Sequence, residues 1–99
     1  MRIKVSVTKG DIKTVFNGLY QHMANCPVAV AVKRAVKEVT GADIFVLAAY
    51  DEIIGREILT GKVSGERLFT LDPPRSAERF MRAIDQNKKV KPFNFFLNV

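Results

Sequence analysis

The segment from Pro27 to Gly41 constrains the fold of this chain more than any other part of the sequence. Proline is favoured at the first position of a helix, because a backbone N–H there would have no partner within the helix. Glycine is favoured just past the last turn. The valines that follow Pro27 would also suit a strand, because they are β-branched. The proline start, the helical spacing of apolar residues and the glycine stop together predict a helix. Its predicted buried stripe consists of Val28, Val32, Ala35, Val36 and Val39.

Apolar patterns elsewhere in the chain predict five strands. Polar and apolar residues alternate over residues 2–7 and 93–99, and shorter apolar runs cover residues 44–49, 53–60 and 67–71. The run 44–49 is nearly all apolar, which is typical of a central strand that is buried on both faces. Gly55 interrupts the next run at a position where a β-bulge would fit.

Two further helices are predicted from the residues at which they would start. Thr8 and Asp11 have the spacing of a capping box, in which each residue satisfies a backbone N–H of the other. Asp72 precedes two prolines and is predicted to cap the last helix, which Asn87 would end. The apolar face predicted after the capping box consists of Ile12, Val15, Phe16 and Leu19. The core stripe predicted for the last helix consists of Ala77, Phe80, Met81 and Ile84.

The order of these elements, β-α-α-β-β-β-α-β, predicts an α+β fold. We expect a single compact domain over residues 1–99, with a mainly antiparallel sheet and helices packed on one face. No apolar run approaches the roughly 20 residues that a membrane span needs, and the first residues lack the hydrophobic region of a signal peptide. The sequence therefore predicts a cytoplasmic protein that does not associate with membranes.

Charge and cysteine content narrow the classes of function. Sixteen basic residues against ten acidic ones give a net charge of +6, which favours an anionic partner. One cysteine and one histidine cannot form an intramolecular disulfide or a zinc site, so we expect neither a metal nor a cofactor. Because no acid and base are paired at a recognisable spacing, the sequence predicts a protein that is not an enzyme.

Basic residues on two predicted helices are the candidate ligand-binding residues. Arg75, Arg79 and Arg82 recur at helical spacing opposite the core stripe, where guanidinium groups could grip phosphates. The same spacing also fits a solvated helix face on which Glu78 pairs with Arg82. A second basic set follows Pro27 on its own helix. The complete candidate set is Arg75, Arg79, Arg82, Lys33, Arg34 and Lys37.

A cysteine and three phenylalanines each have a chemical and a structural interpretation. Cys26 precedes a helix start, where the pKa of a thiol can fall, and His22 could pair with it. We favour a half-buried thiol at the helix cap. Phe93 and Phe95 could stack on bases but match the buried face of the last strand. Phe96 faces the other way and would suit a contact with a helix or with another subunit.

Two segments resemble small uncharacterised proteins of tailed bacteriophages. Residues 25–34 read N-C-P-V-A-V-A-V-K-R and resemble a C-P-(I/V)-A-x-A helix start in that group. Residues 74–95 are similar to its ending, P-x-x-A-x-x-F, then D, then V-x-P-F-x-F. The likeness does not cover the middle of the chain. It implies a phage or prophage origin, a shared fold and a location in the cytoplasm of a bacterial host. The group has no established activity, so the likeness assigns no functional residue.

Three hypotheses of function follow. The first is a phage-type accessory protein that binds an anionic small molecule, such as a nucleotide signal of host defence, in a pocket of a homo-oligomer. The second is a nucleic-acid-binding protein that uses the arginines of the last helix. The third is an inhibitor or assembly factor that contacts another protein through the exposed side of its sheet.

Overall fold

A computed structural model describes residues 2–14, 26–58, 65–86 and 88–99 of the chain. The elements are β1 (Arg2–Val7), α1 (Lys9–Thr14), α2 (Pro27–Thr40), β2 (Ile44–Ala48), β3 (Ile53–Glu57), β4 (Arg67–Leu71), α3 (Arg75–Asp85) and β5 (Phe93–Asn98). This order confirms the predicted α+β class and the predicted sequence of elements. Val15, Phe16, Leu19 and Asn87, which the sequence assigned to helices and a helix end, lie outside the described residues. No described helix is long and apolar enough to cross a membrane.

The strands form two antiparallel sheets. β1 pairs with β5 along its whole length, from Arg2 opposite Asn98 to Val7 opposite Phe93, and we call this pair the ribbon. The second sheet has the order β2-β3-β4. The prediction that β2 is a central strand is wrong, because β2 lies at an edge of this sheet and pairs with β3. Its alternate residues are buried because α2 packs against the sheet there.

The pairing of β3 with β4 is irregular beside Gly55, where the sequence predicted a bulge in β3, but the extra residue belongs to β4. Gly55 pairs with Phe69 but Arg56 pairs with Arg67, so the residue that is skipped in the pairing is Leu68 of β4. Gly55 lies opposite Phe69, and a Cβ atom at residue 55 would overlap the Phe69 ring. The ring of the partner strand therefore occupies the space that a side chain would need.

The hydrophobic core lies between the helices and the inward faces of both sheets. It includes Ile3, Val5, Val7, Phe95 and Leu97 of the ribbon and the predicted stripe of α3, all of which are buried, and the partly buried Phe93 packs against it. Val39 was predicted to belong to the stripe of α2 but is 54% exposed. The buried residues of α2 end at Val36, so its last turn extends past the core.

The two ends of α2 follow the prediction. Pro27 occupies the first helical position and Cys26 is the N-cap. Gly41 adopts the left-handed conformation, with φ of 77°, and its N–H donates to the carbonyl of Lys37 at 2.8 Å. Glycine adopts this conformation without the steric penalty that a Cβ atom brings, which explains why the helix stops there.

The start of α3 differs from the prediction. Asp72 is not the N-cap; the N-cap is Pro74, with ψ of 158°, and its carbonyl accepts from the N–H groups of Ala77 and Glu78 at 3.0 and 3.1 Å. A residue that precedes proline is disfavoured in the helical conformation. Asp72 and Pro73 both precede prolines, so the helix begins only after Pro74.

Gly65 provides a test of close packing in the second sheet. A Cβ atom at residue 65 would overlap the backbone of Glu57, with the carbonyl carbon at 2.8 Å. Because a strand backbone moves less readily than a side chain, we expect Gly65→Ala to lower the free energy of unfolding by about 1–3 kcal/mol. Urea denaturation measures this change.

The control is Gly10→Ala in α1, where the nearest atom is Thr8 Oγ1 at 3.7 Å. We expect that variant to be as stable as the wild type or more so. Equal stability of the two variants would contradict the packing described.

Candidate functional site

The capping box predicted at the start of α1 is present. The N–H of Thr8 donates to Asp11 Oδ2 at 2.9 Å, and the N–H of Asp11 donates to Thr8 Oγ1 at 3.2 Å. Two backbone donors that the helix itself cannot satisfy are thereby paired. The first turn of α1 is fixed by this exchange.

Arg34 ties this first turn to α2 and to β1. Its Nη1 and Nη2 donate to Asp11 Oδ1 and Oδ2 at 2.9 and 2.8 Å, which is a bidentate ion pair. Nη2 also donates to the carbonyl of Ser6 at 2.8 Å. Arg34 is one of the candidate ligand-binding residues, and the structure gives its guanidinium three internal hydrogen bonds. Its side chain remains 39% exposed.

The Asp11 carboxylate is buried but stays charged. Burial by itself raises the pKa of a carboxyl group, because it penalises the charged form. The hydrogen bonds from Arg34 and from the Thr8 N–H, the positive charge of Arg34 and the Thr8 hydroxyl outweigh burial and hold the pKa of Asp11 below its ordinary value. The hydrogen bond to Asp11 in turn raises the pKa of Arg34. The pair therefore remains ionised at neutral pH.

An open groove of about 740 Å³ lies between α1 and the segment that leads into β5. We call it the lysine groove, and its lining residues are Lys9, Gly10, Ile12, Lys13, Val90, Lys91 and Pro92. Its three lysines are exposed, and none of the lining residues is a carboxylate. Its volume is within the range of small-molecule sites, about 300–1,000 Å³.

The ribbon explains why these residues meet. Val7 lies opposite Phe93, so the chain leaves β1 and enters β5 at the same end of the ribbon. Lys9 follows Val7 by two residues and Lys91 precedes Phe93 by two. Lys13 lies four residues after Lys9, which places the two side chains on the same side of α1. Sequence reasoning missed this groove because its two sides come from opposite ends of the chain. The alternation of polar and apolar residues over 2–7 and 93–99 was the one available signal, because it identifies the two strands whose pairing forms the groove.

Arg82 on α3 is engaged with its own chain. Its Nε pairs with Glu78 Oε2 at 3.2 Å, which confirms the alternative interpretation of the arginine stripe for this residue. Its guanidinium also lies 4.4 Å from the centre of the Tyr50 ring, in a cation–π contact. The hydroxyl of Tyr50 donates to Asp85. These contacts attach α3 to the turn between β2 and β3.

The other candidate residues lie on the exposed sides of their helices. Lys37 Nζ pairs with Asp43 Oδ1 at 3.0 Å. Lys33, Arg75 and Arg79 are exposed and form no ion pair with the described residues. None of the six candidate residues lines the lysine groove. Half of the set is thus paired with carboxylates of the protein itself.

Cys26 is buried at the N-cap of α2. Burial raises the pKa of its thiol, and the charge of Asp85 adds to this, although the N–H groups of Val28 and Ala29 act in the opposite direction. A raised pKa suppresses the thiolate, which is the reactive form. His22, the partner considered for Cys26, lies outside the described residues.

The phenylalanines of β5 separate as the alternation predicts. Phe95 is buried, and Phe93 packs against it and against Phe80, with ring centres 5.6 and 4.8 Å apart. Phe96 points away from the core and is 48% exposed. The guanidinium of Arg2 lies 4.1 Å from the centre of the Phe96 ring.

Comparison with protein-family models, with characterised proteins and with solved structures gave no significant match. Among residues 2–14, 26–58, 65–86 and 88–99, no group of three histidine, cysteine or acidic side chains could hold a metal ion.

The ion pair of Asp11 makes stability depend on pH in a defined direction. We expect Asp11→Asn to lower the free energy of unfolding at neutral pH by about 1–3 kcal/mol, because a helix cap and a charged hydrogen bond are lost. The folded-state pKa of Asp11 is depressed. The contribution of Asp11 is therefore complete above its unfolded-state pKa, near 4, and is lost as the pH falls through the lower folded-state value.

Urea denaturation of both proteins between about pH 7 and pH 2 measures this difference. It should be constant above about pH 5 and shrink below about pH 4. The control is Asp43→Asn, which breaks an exposed pair with Lys37 and should change stability by less than about 1 kcal/mol. A difference that persists undiminished in acid would refute the role given to the Asp11 charge.

Proposed function

We propose that this protein is a non-enzymatic binding protein for a small phosphate-bearing ligand with a flat apolar part, such as a nucleotide. The ligand binds in the lysine groove. The observation that carries this proposal is one open groove of about 740 Å³ that combines three lysines with an apolar wall and has no carboxylate among its described lining residues.

The lysines match the charged part of such a ligand. Lys9 and Lys13 approach from α1 and Lys91 approaches from the opposite side. An ammonium group is a compact charge with three donors, suited to phosphate oxygens at varied angles. No carboxylate among the seven described lining residues competes with the ligand for these charges. The net charge of +6 also raises the concentration of anions near the surface.

The apolar residues match the flat part of the ligand. The buried Ile12 lines the groove from α1, and Val90 and Pro92 line it from the segment before β5. A nucleobase that packs against these residues removes apolar surface from water, at about 25 cal/mol for each Å². Phosphate contacts would then orient the ligand and the apolar contact would add affinity.

The site is held in shape before a ligand arrives. The capping box and the bidentate pair with Arg34 fix the turn that carries Lys9 and Lys13. A fixed site avoids part of the entropy that ordering a loop costs on binding. Among the described residues, the lining contains no histidine, carboxylate or thiol that would act as a general acid or base on the bound ligand. This composition supports binding without chemistry.

The likeness of two segments to phage proteins supplies a context for the ligand. In an infected bacterium, a protein that binds a nucleotide signal of host defence lowers the concentration of the free signal without modifying it. Cyclic and linear nucleotides therefore belong in the ligand panel together with inorganic phosphate.

The proposal is tested by calorimetry and thermal shift with that panel. We expect at least one nucleotide to bind at a saturating ratio per chain and to raise the melting temperature. Lys9→Ala and Lys91→Ala should each weaken binding about tenfold or more, because each removes a charged hydrogen bond to phosphate. The matched control is Lys33→Ala, which removes the same charge from the exposed side of α2.

Two results would count against the lysine groove. If neither a nucleotide nor phosphate shifts the melting temperature, the groove does not bind this class of ligand. If Lys33→Ala weakens binding as much as Lys91→Ala does, the attraction is a general effect of the net charge.

A further inference from the structure

We propose that the outward face of the ribbon is a second binding surface, and that its partner is single-stranded nucleic acid. This goes beyond the proposed function, because the ribbon face and the lysine groove have no residue in common. The ribbon face consists of the outward side chains of β1 and β5, which are Arg2, Lys4, Ser6, Asn94, Phe96 and Asn98.

The charge of the ribbon face is complementary to a phosphate backbone. Two of its six side chains are cationic and none is acidic. Lys4 lies directly opposite Phe96, and Arg2 lies opposite Asn98. The remaining side chains are a serine and two asparagines, which can both donate and accept hydrogen bonds. Such groups suit the edges of bases and the sugar hydroxyls of RNA.

Phe96 is the feature that a solvated sheet face does not require. Its ring is 48% exposed, although the alternation of β5 leaves only polar residues beside it on that strand. The Arg2 guanidinium lies 4.1 Å from the ring centre, in the diagonal cross-strand position. An exposed aromatic ring beside a guanidinium group forms a platform on which a base can stack.

A single strand fits this face better than a duplex or a second copy of the chain. Bases of a duplex are stacked inside it, so an aromatic ring on a flat surface cannot reach their faces. A contact between two copies would bring four cations into one interface, with no carboxylate among the six residues of either face to compensate. A six-residue strand is about 20 Å long, so the ribbon can contact a few nucleotides of an extended strand.

Fluorescence anisotropy tests this surface, with labelled oligo(dT) and oligo(U) as probes. An oligonucleotide of about ten nucleotides is within the range of known single-strand sites. We expect the wild type to bind in a saturable manner, with an affinity that falls as salt rises. Phe96→Ala should weaken binding about 5- to 50-fold with little change in the salt dependence, because stacking is lost and charge is not. Phe96→Trp keeps an aromatic ring at this position and should bind about as tightly as the wild type.

The double variant Arg2→Ala/Lys4→Ala separates charge from stacking. It should reduce the slope of log K against log salt by about 1.4, since each phosphate contact of a single strand contributes about 0.7. Two controls remove comparable side chains elsewhere. Leu68→Ala removes a 54% exposed apolar residue of β4, and Arg79→Ala removes an exposed arginine of α3. Neither should change affinity, and thermal melting establishes that every variant is folded.

Three outcomes would overturn this inference. The first is that the folded wild type does not bind either oligonucleotide at low salt. The second is that Arg79→Ala abolishes binding while the ribbon variants bind normally, which would place the strand on α3. The third is that light scattering shows the wild type to be a dimer and Phe96→Ala to be a monomer, while both proteins bind the oligonucleotides equally well. Lysine-groove variants that lose a nucleotide but keep the oligonucleotide would separate the two proposals.

Discussion

The ion pair between Asp11 and Arg34 is the interaction on which the rest of the described site depends. α1 is six residues long, and a helix of that length is unstable on its own in water. The pair attaches it to α2, and the bond from Arg34 to the Ser6 carbonyl attaches both to β1. A buried carboxylate destabilises a protein unless it is paired and hydrogen-bonded, and here Arg34 and Thr8 meet that requirement. The side of the lysine groove that α1 forms therefore rests on one charge pair.

Features that depend on near neighbours in the chain could be predicted from the sequence, and features that depend on distant ones could not. The proline start and glycine stop of α2 and the capping box of α1 each involve residues a few positions apart, and all were found. The pairing of Asp11 with Arg34 spans 23 positions and no local pattern indicates it. Asp72 shows a conflict between two local rules, in which the constraint of the following prolines overrode the preference for an aspartate cap.

Ion pairs of the candidate residues were also hard to predict from the sequence, because the partners of a charge can lie far from it in the chain. Counting basic residues on a helix does not reveal which of them already have an acidic partner. Arg34, Lys37 and Arg82 do, and only the tertiary structure brings the partners of Arg34 and Lys37 within reach. The lysines of the lysine groove, in contrast, are not among the six candidate residues, and the pairing of β1 with β5 brings Lys91 close to the start of α1.

The pairing of β1 with β5 also has a consequence for how the protein folds. All the other described elements lie between these two strands, so joining them closes a loop that contains the whole intervening chain. Contacts between residues so far apart in sequence raise the contact order of the protein. The entropy lost on closing the loop opposes the pairing until its contacts have formed, and folding is slower as a result. During synthesis the ribbon cannot form until β5 has left the ribosome. Both proposed binding surfaces contain residues at or beside this ribbon, so neither exists in a partly made chain.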